Sequence, residues 1–150
     1  MNTGEKIKNF QAEMTGKTDF KLSDYKGHNI IIYFYPRDNT PGCTSEGEDF
    51  RDNFKKFKNK KTKIFGVSKD SLKSHESFKE KFNFPFDLIS DPDEKVCKIF
   101  DVIKEKSMYG KKYMGIERST FLIDSKGKLI RAWRKVKVKG HVEEVLSSID

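Results

Sequence analysis

The chain alternates short apolar runs with amphipathic stretches, and the spacing of apolar positions predicts its elements. Residues 30–35 (IIIYFY) are apolar throughout, as in a strand buried on both faces. Pro36 ends this run because it lacks the N–H a strand ladder needs. Residues 44–58 carry Phe50, Phe54 and Phe57 at helical spacing and predict a helix. Residues 63–68 (KIFGVS) read as a strand, and residues 71–83 as a helix with Leu72, Phe78 and Phe82 inward, closed by Pro85. Residues 86–89 (FDLI) predict a short strand. Asp91-Pro92-Asp93 then opens a helix carrying Val96, Ile99, Phe100 and Ile103 on one stripe. Residues 104–117 show no clear period and are expected to form a loop. Residues 118–123 and 128–136 form a hairpin about the turn 124–127, and a last helix carries Val142, Val145, Leu146 and Ile149. Residues 1–27 hold a small hairpin around Thr15-Gly16-Lys17.

Strand–helix alternation followed by a hairpin and a helix implies an α/β fold, with a central mixed β-sheet flanked by helices on both faces. With no repeat, linker or composition break, residues 1–150 are expected to form a single domain. The net charge is +8, and much of it lies in residues 51–63 and 131–139. The phenylalanines inside the first run leave its lysines a solvated helix face, and the second reads as a lysine-guarded strand. A basic nucleic-acid-binding module is the alternative of a different class. The start of the chain lacks the apolar core of a signal peptide, and no window approaches the length of a membrane span. Two cysteines make no disulfide framework, so a reducing cytoplasm is the expected setting, without membrane association. The cysteines and His28, His75 and His141 show no metal-ligand spacing, and neither metal nor cofactor is expected.

One segment carries chemistry. Pro36-Arg-Asp-Asn-Thr40-Pro-Gly-Cys43 runs from the apolar strand into a helix start. Thr40 suits an N-cap, Pro41 the first helical position, and Gly42 close approach of the backbone to a ligand. Cys43 then falls in the first turn, where unpaired N–H groups and the helix dipole favour a thiolate over a thiol. Ser45 and Glu48 also form a possible capping box, which would start the helix slightly later.

The segment matches the P-x-x-x-T-x-x-C motif of peroxiredoxins. IIYFYP before it, CTSEGEDFRD after it, SDPDEKV (90–96), KSMYGKKYMGIERSTFLID (106–124) and KVKGHVEEVL (137–146) resemble the bacterioferritin comigratory protein (peroxiredoxin Q) branch. The resemblance spans nearly the whole chain and implies a thioredoxin-like fold. It also implies thiol-dependent reduction of hydrogen peroxide and organic hydroperoxides. By that resemblance Cys43 is the peroxidatic nucleophile, Thr40 hydrogen-bonds the peroxide, Pro36 shields the pocket, and Arg118 reaches the thiolate from the neighbouring strand. Glu46 matches a position that could orient an arginine, with a helix-surface or capping role as the alternative.

Oxidation leaves a sulfenic acid that condenses with another thiol. Relatives carry a resolving cysteine five residues after the first, where this chain has Glu48, or in the helix corresponding to 71–83, where it has none. Cys97, between Val96 and Ile99, reads as a packed helix residue, with resolution by it or between subunits left open. The expected mechanism is one-cysteine, with glutathione, glutaredoxin or thioredoxin as external reductant, in a monomer or weak dimer. A thioredoxin-type oxidoreductase fits less well, because Thr40 stands where C-x-x-C needs its first cysteine.

Overall fold

Apolar residues at both alternating sets of positions put residues 29–34 at the centre of the molecule. The computed structural model describes residues 1–150. In chain order its elements are β1 (Gln11–Met14), β2 (Thr18–Lys21), β3 (Asn29–Phe34), α1 (Pro41–Asp52), α2 (Phe54–Asn59), β4 (Thr62–Ser68), α3 (Leu72–Phe82), β5 (Asp87–Ser90), α4 (Lys95–Ile99), β6 (Ile103–Met108), β7 (Lys111–Ile116), β8 (Ser119–Ile123), β9 (Leu129–Trp133) and α5 (His141–Ser147). Seven strands form one sheet in the order β2-β1-β5-β4-β3-β8-β9, and β6 and β7 form a separate hairpin. β3, β4 and β5 run parallel, whereas β8 lies antiparallel to β3. This is the mixed sheet that the element order predicts.

The period of two along β3 builds two cores. Ile30, Ile32 and Phe34 face one core, with Phe65, Phe121 and the α4 residues Val96 and Cys97. Ile31 and Tyr33 face the other, with Cys43, Phe50, Phe57, Phe78 and the α5 residues Val142 and Val145. Aromatic rings interlock in both: Tyr33 stacks on Phe50 at 4.5 Å, and Phe100 lies 4.8 Å from Phe121. Burying a large apolar side chain contributes about 1.5–3 kcal/mol, so these phenylalanines offset the low aliphatic content. No helix is long and apolar enough to cross a membrane.

The basic runs take the places expected of solvated faces. Lys55, Lys56 and Lys58 are exposed while Phe57 is buried. Lys60 reaches back to cap α5, donating to the Leu146 and Ile149 carbonyls at 3.2 and 2.6 Å. Arg131 and Arg134 lie over the rings of Trp133 and Phe121.

Three elements depart from the sequence reading. The helix expected over 44–58 begins at Pro41 and breaks at Asn53, whose side-chain amide donates to the Asp49 carbonyl at 2.8 Å and ends α1. The helix after Asp91 stops at Ile99, and Ile103 enters a strand. Asp91 fixes its start by accepting from the Val96 and Cys97 N–H groups at 3.0 and 2.8 Å. Residues 104–117, expected as a loop, are mostly the β6–β7 hairpin, with Met108 opposite Lys111. Tyr109 and Gly110 both take positive φ, as a two-residue hairpin turn of the primed type requires. Much of this hairpin is solvent-exposed, so its strands carry no alternating apolar signal. The small hairpin around Thr15-Gly16-Lys17 forms where expected, with Met14 opposite Thr18.

Candidate active site

β3 ends at Phe34, and the chain turns through residues 35–40 into α1. Thr40 holds the N-cap position in extended conformation with Pro41 directly after it, as the sequence predicts. Its hydroxyl does not cap the helix: it donates to the Arg37 carbonyl at 3.0 Å and ties the loop together. That bond uses the hydroxyl proton, so the oxygen is left to accept from a ligand. The helix begins too early for Ser45 and Glu48 to act as its capping box. Cys43 lies in the first turn, only 2% exposed.

The topology brings in Arg118. β8 is antiparallel to β3 with Ser119 opposite Phe34, so the residue before β8 lies beside the loop that leaves β3. The Arg118 guanidinium then spans two side chains of α1: Nη2 donates to Cys43 Sγ at 3.4 Å and Nη1 to Glu46 Oε1 at 2.7 Å. Gly42 makes room for it, since a Cβ there would lie 3.2 Å from Nη2. Close approach at Gly42 thus serves the arginine. Glu46 sits one helical turn beyond Cys43 and is fully buried, and its Oε2 has no protein partner. Burial pushes its carboxyl up to about 7, although Arg118 pulls the other way. Burial also works against the charge on Arg118, but Glu46 and Cys43 outweigh it and hold the guanidinium protonated.

A cysteine at a helix start, held by an arginine, is the geometry that the sequence motif implies. The family model of the AhpC/TSA family matches residues 3–132. The chain belongs to this family and is a peroxiredoxin. It is 53% identical over 136 residues to peroxiredoxin Bcp of Xanthomonas campestris pv. campestris, covering 91% of this chain and 85% of that one. Against peroxiredoxin Bcp of Bacillus subtilis the identity is 52% over 146 residues, 97% of this chain and 93% of the relative. A solved structure of the Xanthomonas campestris bacterioferritin comigratory protein, described for its alkyl peroxide reduction activity, superposes with a TM-score of 0.89. It shares 51% identity and covers 93% of this chain and 88% of that one. The fold is thioredoxin-like and the branch is that of peroxiredoxin Q, as the sequence motifs imply.

In this peroxiredoxin the loop leading to Cys43 is held from behind by a buried polar network that sequence reasoning missed. Asp38 accepts from Tyr35 Oη at 2.6 Å and Ser74 Oγ at 2.8 Å, and lies 2.7 Å from His75 Nδ1. The Asp38 N–H donates to Asp70 Oδ2 at 2.8 Å. His75 Nε2 faces the Ile89 carbonyl at 2.9 Å and therefore carries a proton. A further proton must lie between Nδ1 and Asp38, because two bare acceptors would repel at that distance. Asp38, Asp70 and His75 place ligand atoms within 4.8 Å of one another, a spacing that suits a metal ion. Both His75 nitrogens are committed to hydrogen bonds, however, so these residues fit a proton-bridged anchor better than a metal site. The available signal was Phe78 at i+3 from His75, which puts the histidine on the inward face of α3.

The second cysteine of the peroxiredoxin is remote from the first. Cys97 is fully buried in the core on the opposite face of the sheet from Cys43. Burial and the adjacent Asp91 raise its thiol far above the usual range. The residue expected to shield the pocket, Pro36, is exposed and lines a cavity with Arg37, Lys106 and Tyr113.

Proposed function

We propose that Cys43 is the peroxidatic nucleophile of a one-cysteine cycle, with Arg118, Thr40 and Pro36 as its site and Glu46 as the residue that positions Arg118. The overall activity is thiol-dependent reduction of peroxides, as in other peroxiredoxins. The thiolate attacks one oxygen of ROOH, a sulfur–oxygen bond forms as the O–O bond breaks, and RO⁻ leaves and takes up a proton. Charge moves from sulfur to the leaving oxygen. Arg118 Nη2 donates to the sulfur before attack and suits the transferring oxygen afterwards, while the Thr40 oxygen accepts from the peroxide O–H. Preset donors of this kind need no reorganisation during the step. Hydrogen peroxide and small alkyl hydroperoxides are the substrates this site suits, since Cys43 is only 2% exposed.

The observation that carries the reading is the pair of bonds from one guanidinium to Cys43 and Glu46. The one-cysteine part is supported by Cys97 lying across the sheet. An intramolecular disulfide needs Cα atoms within about 7 Å, and here a packed sheet intervenes. Cys43→Ser and Cys97→Ser test it by peroxide consumption with an external thiol. The expected result is loss of turnover in the first variant and wild-type turnover in the second. Turnover surviving Cys43→Ser would sink the assignment.

A further inference from the structure

A cavity of about 310 Å³ lies between the loop that leads to Cys43 and the β6–β7 hairpin. Pro36, Arg37, Lys69, Asp70, Lys106 and Tyr113 line it. Two of its charged groups are already engaged: Lys69 pairs with Glu94 at 2.7 Å, and Asp70 accepts through Oδ2 from the Asp38 N–H and the Ser68 hydroxyl. Arg37 and Lys106 have no carboxylate partner within salt-bridge distance. Arg37 belongs to the catalytic loop, and its carbonyl holds the Thr40 hydroxyl. Lys106 is half-buried between Tyr113 across the hairpin and the active site. Burial and the charge of Arg118 lower its amine, and Cys43 pulls it back up, so it lies within electrostatic reach of the reacting sulfur. An unpaired, half-buried ammonium next to an unpaired guanidinium is relieved by an anion.

We propose that this cavity is the entry site for the reductant, and that it takes a low-molecular-weight thiol bearing carboxylates. The inference rests on the one-cysteine reading. A sulfur that is only 2% exposed admits a small thiol more readily than one carried on a convex protein surface. The carboxylates are held by Arg37 and Lys106, and an ammonium group on the same molecule finds Asp70. The thiolate RS⁻ attacks the sulfenic sulfur, the S–S bond forms as the S–OH bond breaks, and hydroxide leaves and is protonated. A second RS⁻ attacks the mixed disulfide, releasing RSSR and the Cys43 thiolate.

The test oxidises the full-length protein with one equivalent of hydrogen peroxide and follows the mixed disulfide by intact mass. Glutathione is compared with its diethyl ester and with 2-mercaptoethanol at equal thiolate concentration. Glutathione is expected to react faster than the ester by on the order of tenfold, with the difference shrinking as salt rises. Lys106→Gln and Arg37→Gln are expected to remove that preference in the mixed-disulfide step, which is compared between samples oxidised to the same extent so that any change in sulfenic acid formation is read separately. Equal rates for glutathione and its ester, or a preference that survives both substitutions, would overturn the proposal. So would a preference that belongs to carboxylated over neutral hydroperoxides in the oxidation step, since the cavity would then hold the substrate. A Cys43–Cys97 disulfide before any thiol is added would defeat the one-cysteine reading itself, and the two failures are separable by mass.

Discussion

Replacing Arg118 by methionine removes the guanidinium and keeps much of the side-chain bulk. Two separate losses follow from its two bonds. Nη2 is a preset donor 3.4 Å from the reacting sulfur, and loss of one such donor costs on the order of 10²–10³ in rate. Nη1 is the only side-chain partner of Glu46, which is fully buried, and breaking a buried pair from one side costs about 3–5 kcal/mol of stability. The second loss can be repaired without the first: Glu46→Gln in the same chain removes the stranded charge. The double variant is therefore expected to recover most of the stability and none of the rate. Urea midpoints and kcat/KM for hydrogen peroxide, measured on wild type, both single variants and the double variant, complete a thermodynamic cycle. The wild-type reference belongs a unit or more above the Glu46 value of about 7, where its carboxylate is ionised; in Arg118→Met the pull of the guanidinium is gone and burial raises the carboxyl further. Folded Arg118→Met that reduces peroxide within a few-fold of wild type would refute the role of the clamp. Recovery of rate together with stability in the double variant would show that Arg118 is structural only.

Three further outcomes are expected. As pH rises through about 7, ionisation of Glu46 strengthens its bond to Arg118, so kcat/KM should carry an inflection there that is absent in Glu46→Gln. His75→Phe keeps the volume in α3 but strips Asp38 of its basic partner and leaves it only the Tyr35 and Ser74 hydroxyls, and a urea titration should show a loss of about 3–5 kcal/mol; a loss too small to measure would contradict the proton-bridged anchor. His141 is buried against Thr120, and burial lowers its imidazole to about 4 from 6.5. Its neutral form therefore contributes stability above pH 6.5 that is lost as pH falls through about 4. The stability difference between wild type and His141→Gln should shrink by about 3 kcal/mol across that window.

Local signals in the sequence carried furthest where one residue type answers one physical need. The doubly buried strand, the proline that ends it, and the helix start at Cys43 all follow from apolar runs, missing N–H groups and dipoles. The β6–β7 hairpin was not legible, because an exposed ribbon needs no apolar face; only Tyr109-Gly110 marks it. Arg118 could be named from the motif alone, and what brings it to Cys43 is the antiparallel register of β8 against β3. Asp38 and His75 lie 37 residues apart and meet only through the packing of α3 on the loop. The isolation of Cys97 likewise depends on which face of the sheet α4 covers, a fact of topology that spacing does not encode.

The central claim is that oxidation at Cys43 stops at a sulfenic acid, because no second thiol of the chain can reach it. Wild-type protein given one equivalent of peroxide without reductant, trapped with dimedone and mapped by mass spectrometry, tests this directly. The account predicts a single dimedone adduct on Cys43 and an unmodified Cys97. A Cys43–Cys97 disulfide as the main product would contradict it.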